Sequence, residues 1–363
     1  MPIPFPFDPD ITRAETLPAR LYVDPVWHAL ERERIFARTW QLVGHTAQVQ
    51  AKGDFFTAEI GDESIVILHD GLALRGFHNV CLHRAGPVAS GCGRRQTLQC
   101  RYHGWTYALD GTLTAAPEMD GAERFDPRAF RLQPVQVAHF GPLVFACLDL
   151  KAPPLTHFLD GIAERTASLA PEHMRWVLRR DYEVACNWKV YVDNFLEGYH
   201  LPVVHPQLYK ELDYDAYRVE PHRYWSLQHA PLRPLPPDPA RAAERRYVPG
   251  DGDTAAQYYW CFPNVMLNIY FGQMQTNAII PLGPDRTRTI FEWYATEPPV
   301  EWQADDGWRR LVEFSDAIQR EDIEIVEAVQ RNLRSRVYDR GRYAPKRENG
   351  VHHFHALLHE FLS

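Results

Sequence analysis

Between Trp40 and about Asp149 the chain alternates short hydrophobic, β-rich runs with polar turn pairs. The runs are Gln41–Val43, Asp54–Ile60, Ser64–His69, Ala73–Asn79, Leu98–Tyr102 and Trp105–Leu109. Turn pairs such as Gly61-Asp62 and Asp70-Gly71 lie between them. This rhythm predicts a small antiparallel β domain.

The pattern changes after Pro153-Pro154, where longer elements of both types follow. We predict a strand at Arg175–Val184, a helix at Asn187–Tyr199, strands at Tyr258–Ile280 and Thr287–Ala295, and a helix at Glu301–Ser335. A helix is also predicted around Asp24–Arg38. The expected fold class is α+β, in three parts. Residues 1–39 form an N-terminal segment that packs on the second domain, residues 40–150 the all-β domain, and residues 151–363 the second domain.

Composition and charge narrow the function classes. The 363 residues are 45% hydrophobic and 24% charged, as in a folded globular protein. The net charge is −8 and no basic block is present, so we expect no nucleic-acid partner. The start of the chain lacks the pattern of a signal peptide. No apolar stretch approaches the roughly 20 residues that span a bilayer. We therefore expect a cytoplasmic protein with no membrane partner.

Two short Cys-His motifs in the predicted β domain indicate a metal site. Cys81 and His83 form C-x-H, and Cys100 and His103 form C-x2-H. A single zinc ion could take all four ligands. A [2Fe–2S] cluster would instead place both thiolates on one iron and both imidazoles on the other. The mixed pairs favour the cluster, because zinc fingers usually separate the Cys pair from the His pair. Trp105, just after the last ligand, would cover such a cluster.

A second candidate site begins at the end of the predicted helix Asn187–Tyr199. His200 lies at that helix end, and His205 follows on a turn before Pro206. Glu197 is three residues before His200, and we expect it on the same helix face. Two His residues this close could bind one ion, but a metal site needs a third ligand.

The predicted C-terminal helix supplies that ligand. Its apolar stripe is expected to run through Leu311, Phe314, Ile318, Ile325, Val329 and Leu333. Asp322 falls within this stripe, where a carboxylate is costly unless it is paired with a cation or bound to a metal. Its neighbours Glu321 and Glu324 are expected to face solvent. Two His and one carboxylate form the facial triad of non-haem Fe(II) oxygenases. An Asp322 paired with an Arg remains an alternative.

These motifs together resemble the Rieske non-haem iron oxygenases, specifically their large catalytic (alpha) subunits. The resemblance rests on C-x-H…C-x2-H with HGW-x-Y, on N-x2-E-x2-H-x4-H, and on the Asp of the acidic helix. The segments EDIEIVEAVQRNLRSRVYDRGRY and YYWCFPNVMLNIY are similar to those of the choline monooxygenases and related quaternary-ammonium oxygenases. The resemblance implies an all-β Rieske domain followed by a helix-grip catalytic domain, an antiparallel sheet wrapped around a long helix.

The resemblance also implies roles for individual residues. Cys81, His83, Cys100 and His103 would hold the [2Fe–2S] cluster, and His200, His205 and Asp322 a mononuclear Fe(II). Glu197 would bridge the cluster of one subunit and the iron of its neighbour in a homotrimer. No dinucleotide fingerprint is present, so electrons from NAD(P)H would come from a separate reductase, directly or through a ferredoxin.

The implied reaction uses O2 to hydroxylate or N-demethylate a small organic substrate. Glu197 stands where ring-hydroxylating members usually have Asp. This Glu is typical of members that act on choline, glycine betaine, carnitine or stachydrine. The expected pocket residues are Tyr259, Trp260, Tyr270 and Trp293, whose rings would hold a trimethylammonium group by cation–π contacts. Aromatic ring dioxygenation and a Rieske electron carrier without oxygenase activity remain alternatives.

Overall fold

The computed structural model describes residues 5–233, 255–270 and 272–363. The chain divides into two compact units. One is Phe36–Leu155, and the other combines the described residues up to Ile35 with Thr156–Ser363. The α+β class is confirmed.

The first unit is built of short antiparallel strands. Its strands are Gln41–His45 (β1), Asp54–Ile60 (β2), Glu63–His69 (β3), Leu74–His78 (β4), Cys92–Arg94 (β5), Leu98–Gln99 (β6), Thr106–Tyr107 (β7), Leu113–Ala115 (β8), Pro134–Phe140 (β9) and Leu143–Cys147 (β10). The larger sheet has the order β1-β10-β9-β4-β3-β2-β5, and the smaller has the order β6-β7-β8. The strands predicted at Leu98–Tyr102 and Trp105–Leu109 are much shorter than expected, because the chain between them forms a tight loop.

The second unit contains a larger antiparallel sheet. Its strands are Arg175–Val184 (β11), Arg218–Pro221 (β12), Trp225–Pro231 (β13), Ala255–Cys261 (β14), Val265–Tyr270 (β15), Gln273–Gly283 (β16) and Arg286–Ala295 (β17). Their order is β11-β17-β16-β15-β14-β13-β12. The single strand predicted at Tyr258–Ile280 is wrong, since this segment folds into β14, β15 and β16. Asn264 stabilises the first of these turns by donating from Nδ2 to the carbonyl of Ile279 at 2.8 Å.

Seven of the described α-helices are short: Arg20–Val23 (α1), Pro25–Glu31 (α2), Leu155–Phe158 (α3), Ile162–Thr166 (α4), Trp188–Phe195 (α5), Leu201–Val204 (α6) and Pro206–Glu211 (α7). Two longer helices follow near the C-terminus, Asp306–Asn332 (α8) and Asn349–Leu362 (α9). Helix α8 begins where the Asp305 carboxylate accepts from the backbone N–H of Trp308 at 2.9 Å. It contacts the sheet through polar pairs, including Gln275 with Ser315 at 2.9 Å and Gln319 with Thr289 at 3.2 Å.

The predicted apolar stripe of α8 is wrong at Ile325 and Val329, although Leu333 at its end is buried. Ile325 and Val329 are 38% and 41% exposed, whereas Gln319 and Gln330 are buried. The two glutamines tolerate burial because their amides are hydrogen-bonded. Gln330 Oε1, for example, accepts from the backbone N–H of Asn187 at 2.8 Å.

The helix predicted at Asn187–Tyr199 ends earlier, at Phe195. The Asn187 side chain caps its N-terminus, accepting from the Lys189 N–H at 3.0 Å. Glu197 consequently lies in the loop after α5, not on a helix face. His200 immediately precedes α6. Pro202 does not end a helix here, because proline is tolerated in the first turn, where its missing N–H has no intrahelical partner.

Candidate functional site

The two Cys-His motifs form a pair of loops with the same backbone pattern. The N–H of Cys81 donates to the carbonyl of Gly86 at 2.8 Å, and Cys100 donates to Trp105 at 2.9 Å, five residues on in both cases. Four residues after each cysteine, the N–H of Ala85 or Gly104 returns to that cysteine's carbonyl, at 2.9 and 3.0 Å. Both of these residues have positive φ, +58° and +76°. Local backbone hydrogen bonds therefore close each loop around its cysteine.

The four candidate ligands differ in exposure. Cys81 and Cys100 are buried, at 2% and 3% exposure. His83 and His103 are exposed, with ring centroids 4.6 Å apart. The pKa of His103 is lowered, first by desolvation and then by His83 and Arg84. This shift favours the neutral imidazole that binds metal.

Two aromatic side chains support these loops. Trp105 is buried and stacks on His83 at 4.9 Å between centroids, with 9° between the planes. The hydroxyl of Tyr107 lies 3.4 Å from Cys81 Sγ and accepts from the N–H of Leu82 at 3.1 Å. Trp105 therefore lies against the ring of a candidate ligand, and its role as a cover for a cluster stays a prediction.

The arrangement fits a [2Fe–2S] cluster better than zinc. A single zinc ion would draw the four ligand atoms together around one point. Within the described parts of the chain, the group of three or more potential ligands within 4.8 Å of one another is a different one, namely His200, His205 and Asp322. Buried thiolates and surface imidazoles suit a cluster whose two irons take different ligands.

His200, His205 and Asp322 form the second site. Asp322 Oδ1 lies 3.0 Å from His205 Nε2 and 3.9 Å from His200 Nε2. The two imidazole centroids are 5.0 Å apart. Two imidazoles and one carboxylate at this spacing match the ligand set of non-haem Fe(II) centres that leave positions open for O2.

A carboxylate holds the far nitrogen of each imidazole. Glu197 Oε1 accepts from His200 Nδ1 at 2.6 Å, and Glu321 Oε2 accepts from His205 Nδ1 at 2.6 Å. Each pair selects the tautomer that leaves Nε2 free for a metal. The interpretation that Glu321 only faces solvent is therefore wrong. Glu321 follows Arg320 and precedes Asp322 on α8, so helical spacing alone could not reveal its contact with a residue 116 positions earlier.

Asn194 is a further site residue to which the sequence interpretation assigned no role. Its Nδ2 donates to Asp322 Oδ1 at 2.6 Å. It is the first residue of the N-x2-E-x2-H motif, so its spacing from Glu197 and His200 was the available signal. It orients the carboxylate that would bind the metal.

Negative charge accumulates at this site. Burial lowers the pKa of His205, but hydrogen bonds and charge from Asp322 and Glu321 outweigh burial and raise it. Glu197 adds a third carboxylate beside His200. A site with this charge favours a bound cation.

A cavity of about 170 Å³ opens onto the second site. Its lining includes Glu197, His200, His205 and Asp322, and seven aromatic residues: Tyr191, Phe195, Tyr217, Tyr258, Phe291, Trp293 and Phe314. Of the expected pocket residues, Trp293 lines this cavity, whereas Tyr259 and Trp260 do not. Tyr259 packs on Trp225 and Trp260 on Phe354. The side chain of Tyr270 lies outside the described residues.

A second cavity, of about 280 Å³, also reaches Asn194, Glu197 and His200. Its wall includes the partly exposed apolar residues Ile325 and Val329 of α8. Glu197 thus faces two separate cavities. None of the described helices combines the length and apolar character needed to cross a bilayer.

Comparisons with known proteins identify both domains. A family model of the Rieske [2Fe-2S] domain matches residues 39–132, and one of the ring hydroxylating alpha subunit catalytic domain matches residues 171–363. The chain is 36% identical to the chloroplastic choline monooxygenase of Arabidopsis thaliana, covering 98% of this chain and 85% of that protein. It is 31% identical to the carnitine monooxygenase oxygenase subunit of Escherichia coli K12, covering 95% of this chain and 93% of that protein.

Solved structures show the same architecture. The structure of a quaternary ammonium Rieske monooxygenase superposes with a TM-score of 0.87 at 28% identity, covering 99% of this chain and 100% of that one. The naphthalene 1,2-dioxygenase of Rhodococcus has a TM-score of 0.78 at 21% identity over 96% of this chain and 94% of its own, which shows the fold alone. The chain therefore belongs to the Rieske non-haem iron oxygenases, as an alpha subunit with a Rieske [2Fe-2S] domain and a mononuclear iron catalytic domain.

Proposed function

We propose that this oxygenase hydroxylates or N-demethylates a small quaternary ammonium compound. The observation that carries the proposal is the chemistry of the 170 Å³ cavity. Seven of its lining residues are aromatic, and no Lys or Arg is found among its described lining residues. Each ring over a desolvated cation contributes about 0.5–2 kcal/mol, so the cavity favours a trimethylammonium group. Its relatives named for choline and carnitine support this assignment.

His200, His205 and Asp322 are the proposed ligands of the mononuclear iron, and Cys81, His83, Cys100 and His103 those of the cluster. The bound metals would supply O2 activation and electron transfer. The chain itself orients the ligands, through Glu197, Glu321 and Asn194, and encloses the substrate.

Glu197 is the proposed link between a cluster and an iron. Its position on two cavities means that a group in one cavity and the substrate in the other would both be close to the same carboxylate. We infer that the cluster of a neighbouring subunit approaches through the 280 Å³ cavity, in a homotrimer. Electrons would come from a separate NAD(P)H-dependent reductase, directly or through a ferredoxin, in the cytoplasm.

Oxygen uptake by the holoenzyme tests the function. With a reductase and NADH supplied, choline, glycine betaine or carnitine should stimulate O2 uptake and yield an oxidised or demethylated product, whereas simple aromatic acids should not. Iron analysis should give the two irons of the cluster plus one mononuclear iron per chain. Only two irons, with no uptake on any substrate, would instead indicate an electron carrier.

Glu197→Gln tests the bridge. The variant should retain both metal centres, because the amide still reaches His200, but lose substrate-dependent O2 uptake. Its iron content and cluster spectrum separate this result from simple loss of metal. Full coupled activity in the variant would contradict the role of Glu197.

A further inference from the structure

One row of side chains crosses the sheet along the cavity wall. Strand registers place its members directly opposite one another on β13 to β17: Gln228, Tyr258, Asn268, Gln275 and Trp293. All five line the cavity. Asn277 and Phe291, opposite each other in the next row, line it too. The wall therefore combines aromatic rings with several amides.

Two amides of this wall form hydrogen bonds through both their oxygen and their nitrogen. Gln228 Nε2 donates to the carbonyl of Phe195 at 2.8 Å, and its Oε1 accepts from the hydroxyl of Tyr217. Gln275 Oε1 accepts from Asn268 Nδ2 at 3.3 Å, and Gln275 Nε2 donates to Ser315 Oγ at 2.9 Å. These bonds hold the wall in place.

In the two asparagines of this wall, the side-chain carbonyl oxygen accepts no hydrogen bond from the described residues. Asn268 and Asn277 are 7% and 5% exposed, and the Oδ1 of each is buried without a hydrogen-bond partner among the described residues. A buried acceptor left unpaired costs free energy, so such groups are normally satisfied. Because both residues line the cavity, a hydrogen-bond donor on the occupant would satisfy one of these two acceptors.

The charges of the cavity disfavour an anionic occupant. Its charged lining residues within the described chain are the acids Glu197 and Asp322 with His200 and His205. A substrate carboxylate would lie beside acceptor oxygens and carboxylates, and the described lining residues include no Lys or Arg that could pair with it. Burying a charge without a partner is strongly unfavourable.

We propose that a hydroxyl of the substrate donates to the Oδ1 of Asn268 or of Asn277, and that the cavity selects a quaternary ammonium alcohol over a quaternary ammonium carboxylate. This inference rests on the proposed function and goes beyond it by naming the substrate class and two candidate specificity-determining residues. The rings hold the cationic end, and one of the two amide oxygens accepts from the donor end.

Anaerobic titration calorimetry of the holoenzyme tests the selection without using turnover. The probes are choline, its O-methyl ether, which keeps the cation but lacks the donor, and glycine betaine, which carries a carboxylate. Choline should bind about tenfold more tightly than the ether, as expected for a lost hydrogen bond to a buried acceptor. Glycine betaine should bind more weakly than the ether.

Variants assign the effect to the two amides. Either Asn268→Leu or Asn277→Leu, whichever removes the accepting oxygen, should bring the ratio of choline to ether affinity close to one, and the double variant should do the same. Asn277→Asp, which retains an acceptor of the same shape, should keep the preference for choline. Ser226→Ala is the matched control, because Ser226 Oγ is also buried, has no hydrogen-bond partner in the described part of the chain, and does not line the cavity. It should leave the ratio unchanged.

The outcomes separate this inference from the proposed function. If choline and its ether bind equally, or glycine betaine binds most tightly, the selection is wrong while quaternary ammonium binding stands. A ratio that persists in both Leu variants would also overturn it. If none of the three compounds binds, the proposed function itself fails. Circular dichroism and iron content establish that each variant is folded and loaded.

Discussion

The two metal sites of this chain are specified in contrasting ways. The proposed cluster ligands lie close together in sequence, on loops closed by their own short-range hydrogen bonds. The proposed ligands of the mononuclear site come from distant segments, with His205 and Asp322 separated by 117 positions. A different carboxylate holds each imidazole, Glu197 for His200 and Glu321 for His205. The first site depends on local backbone geometry, and the second on the docking of α8 beside the loop after α5.

Cys100→Ser should have the largest effect. Losing one buried thiolate removes a ligand that the remaining loop cannot replace, so we expect no cluster and no turnover. The mononuclear site should still bind iron, because its ligands belong to other segments. Visible absorption and iron analysis measure both. A variant that retains the cluster spectrum would contradict the ligand assignment.

Asp322→Asn tests the proposed mononuclear iron site. The amide keeps the shape of the side chain but removes the anionic ligand, and we expect iron affinity at this site to fall at least about hundredfold. The cluster spectrum should be unchanged. Loss of both centres would show instead that the two sites do not form independently.

Glu321→Gln weakens the second site without removing a ligand. The amide is a poorer acceptor for His205 Nδ1–H, so metal affinity should fall about tenfold. The exposed Glu324 on the same helix gives the matched control, and Glu324→Gln should leave affinity unchanged. Equal iron affinities in the two variants would argue against the role of Glu321.

The smallest effect concerns the paired loops. Gly104 has φ +76°, and a Cβ there would have Pro117 Cγ at 3.6 Å as its nearest neighbour. Gly104→Ala should therefore cost only backbone strain, about 1 kcal/mol of unfolding free energy. In the other loop, a Cβ on Gly86 would lie 2.8 Å from Cys100 Sγ. Gly86→Ala should therefore displace that candidate ligand and reduce cluster content, which visible absorption measures. Equal cluster content in the Gly86→Ala and Gly104→Ala variants would contradict this difference between the two glycines.

The local pattern of hydrophobic and turn residues predicted the α+β fold class and the small β domain. Alternating runs and turn pairs identify the small β domain, because strand periodicity and turn residues act over a few positions. The same reasoning failed where contacts are long-range. It extended α5 through Glu197 and placed Ile325 and Val329 in the buried stripe of α8, where buried glutamines lie instead. Hydrogen bonds to distant backbone and side chains decide those positions.

At the candidate sites, too, some residues could be predicted from sequence and others could not. Ligand types and spacing indicated Cys81, His83, Cys100 and His103, and motif order indicated His200, His205 and Asp322. Spacing could not indicate that Glu321 holds His205. Nor could it show that Tyr259 and Trp260 pack elsewhere, since strand alternation says which residues share a face but not what covers that face.

The sequence by itself determined the kinds of metal ligand, their order and the family to which the chain belongs. Those properties depend on residue identity and short spacing. Only the tertiary structure shows which acids hold the imidazoles and which aromatic rings line the cavity. It also shows that the Oδ1 atoms of Asn268 and Asn277 have no hydrogen-bond partner among the described residues. The reason is that these features arise from packing between segments far apart in the chain.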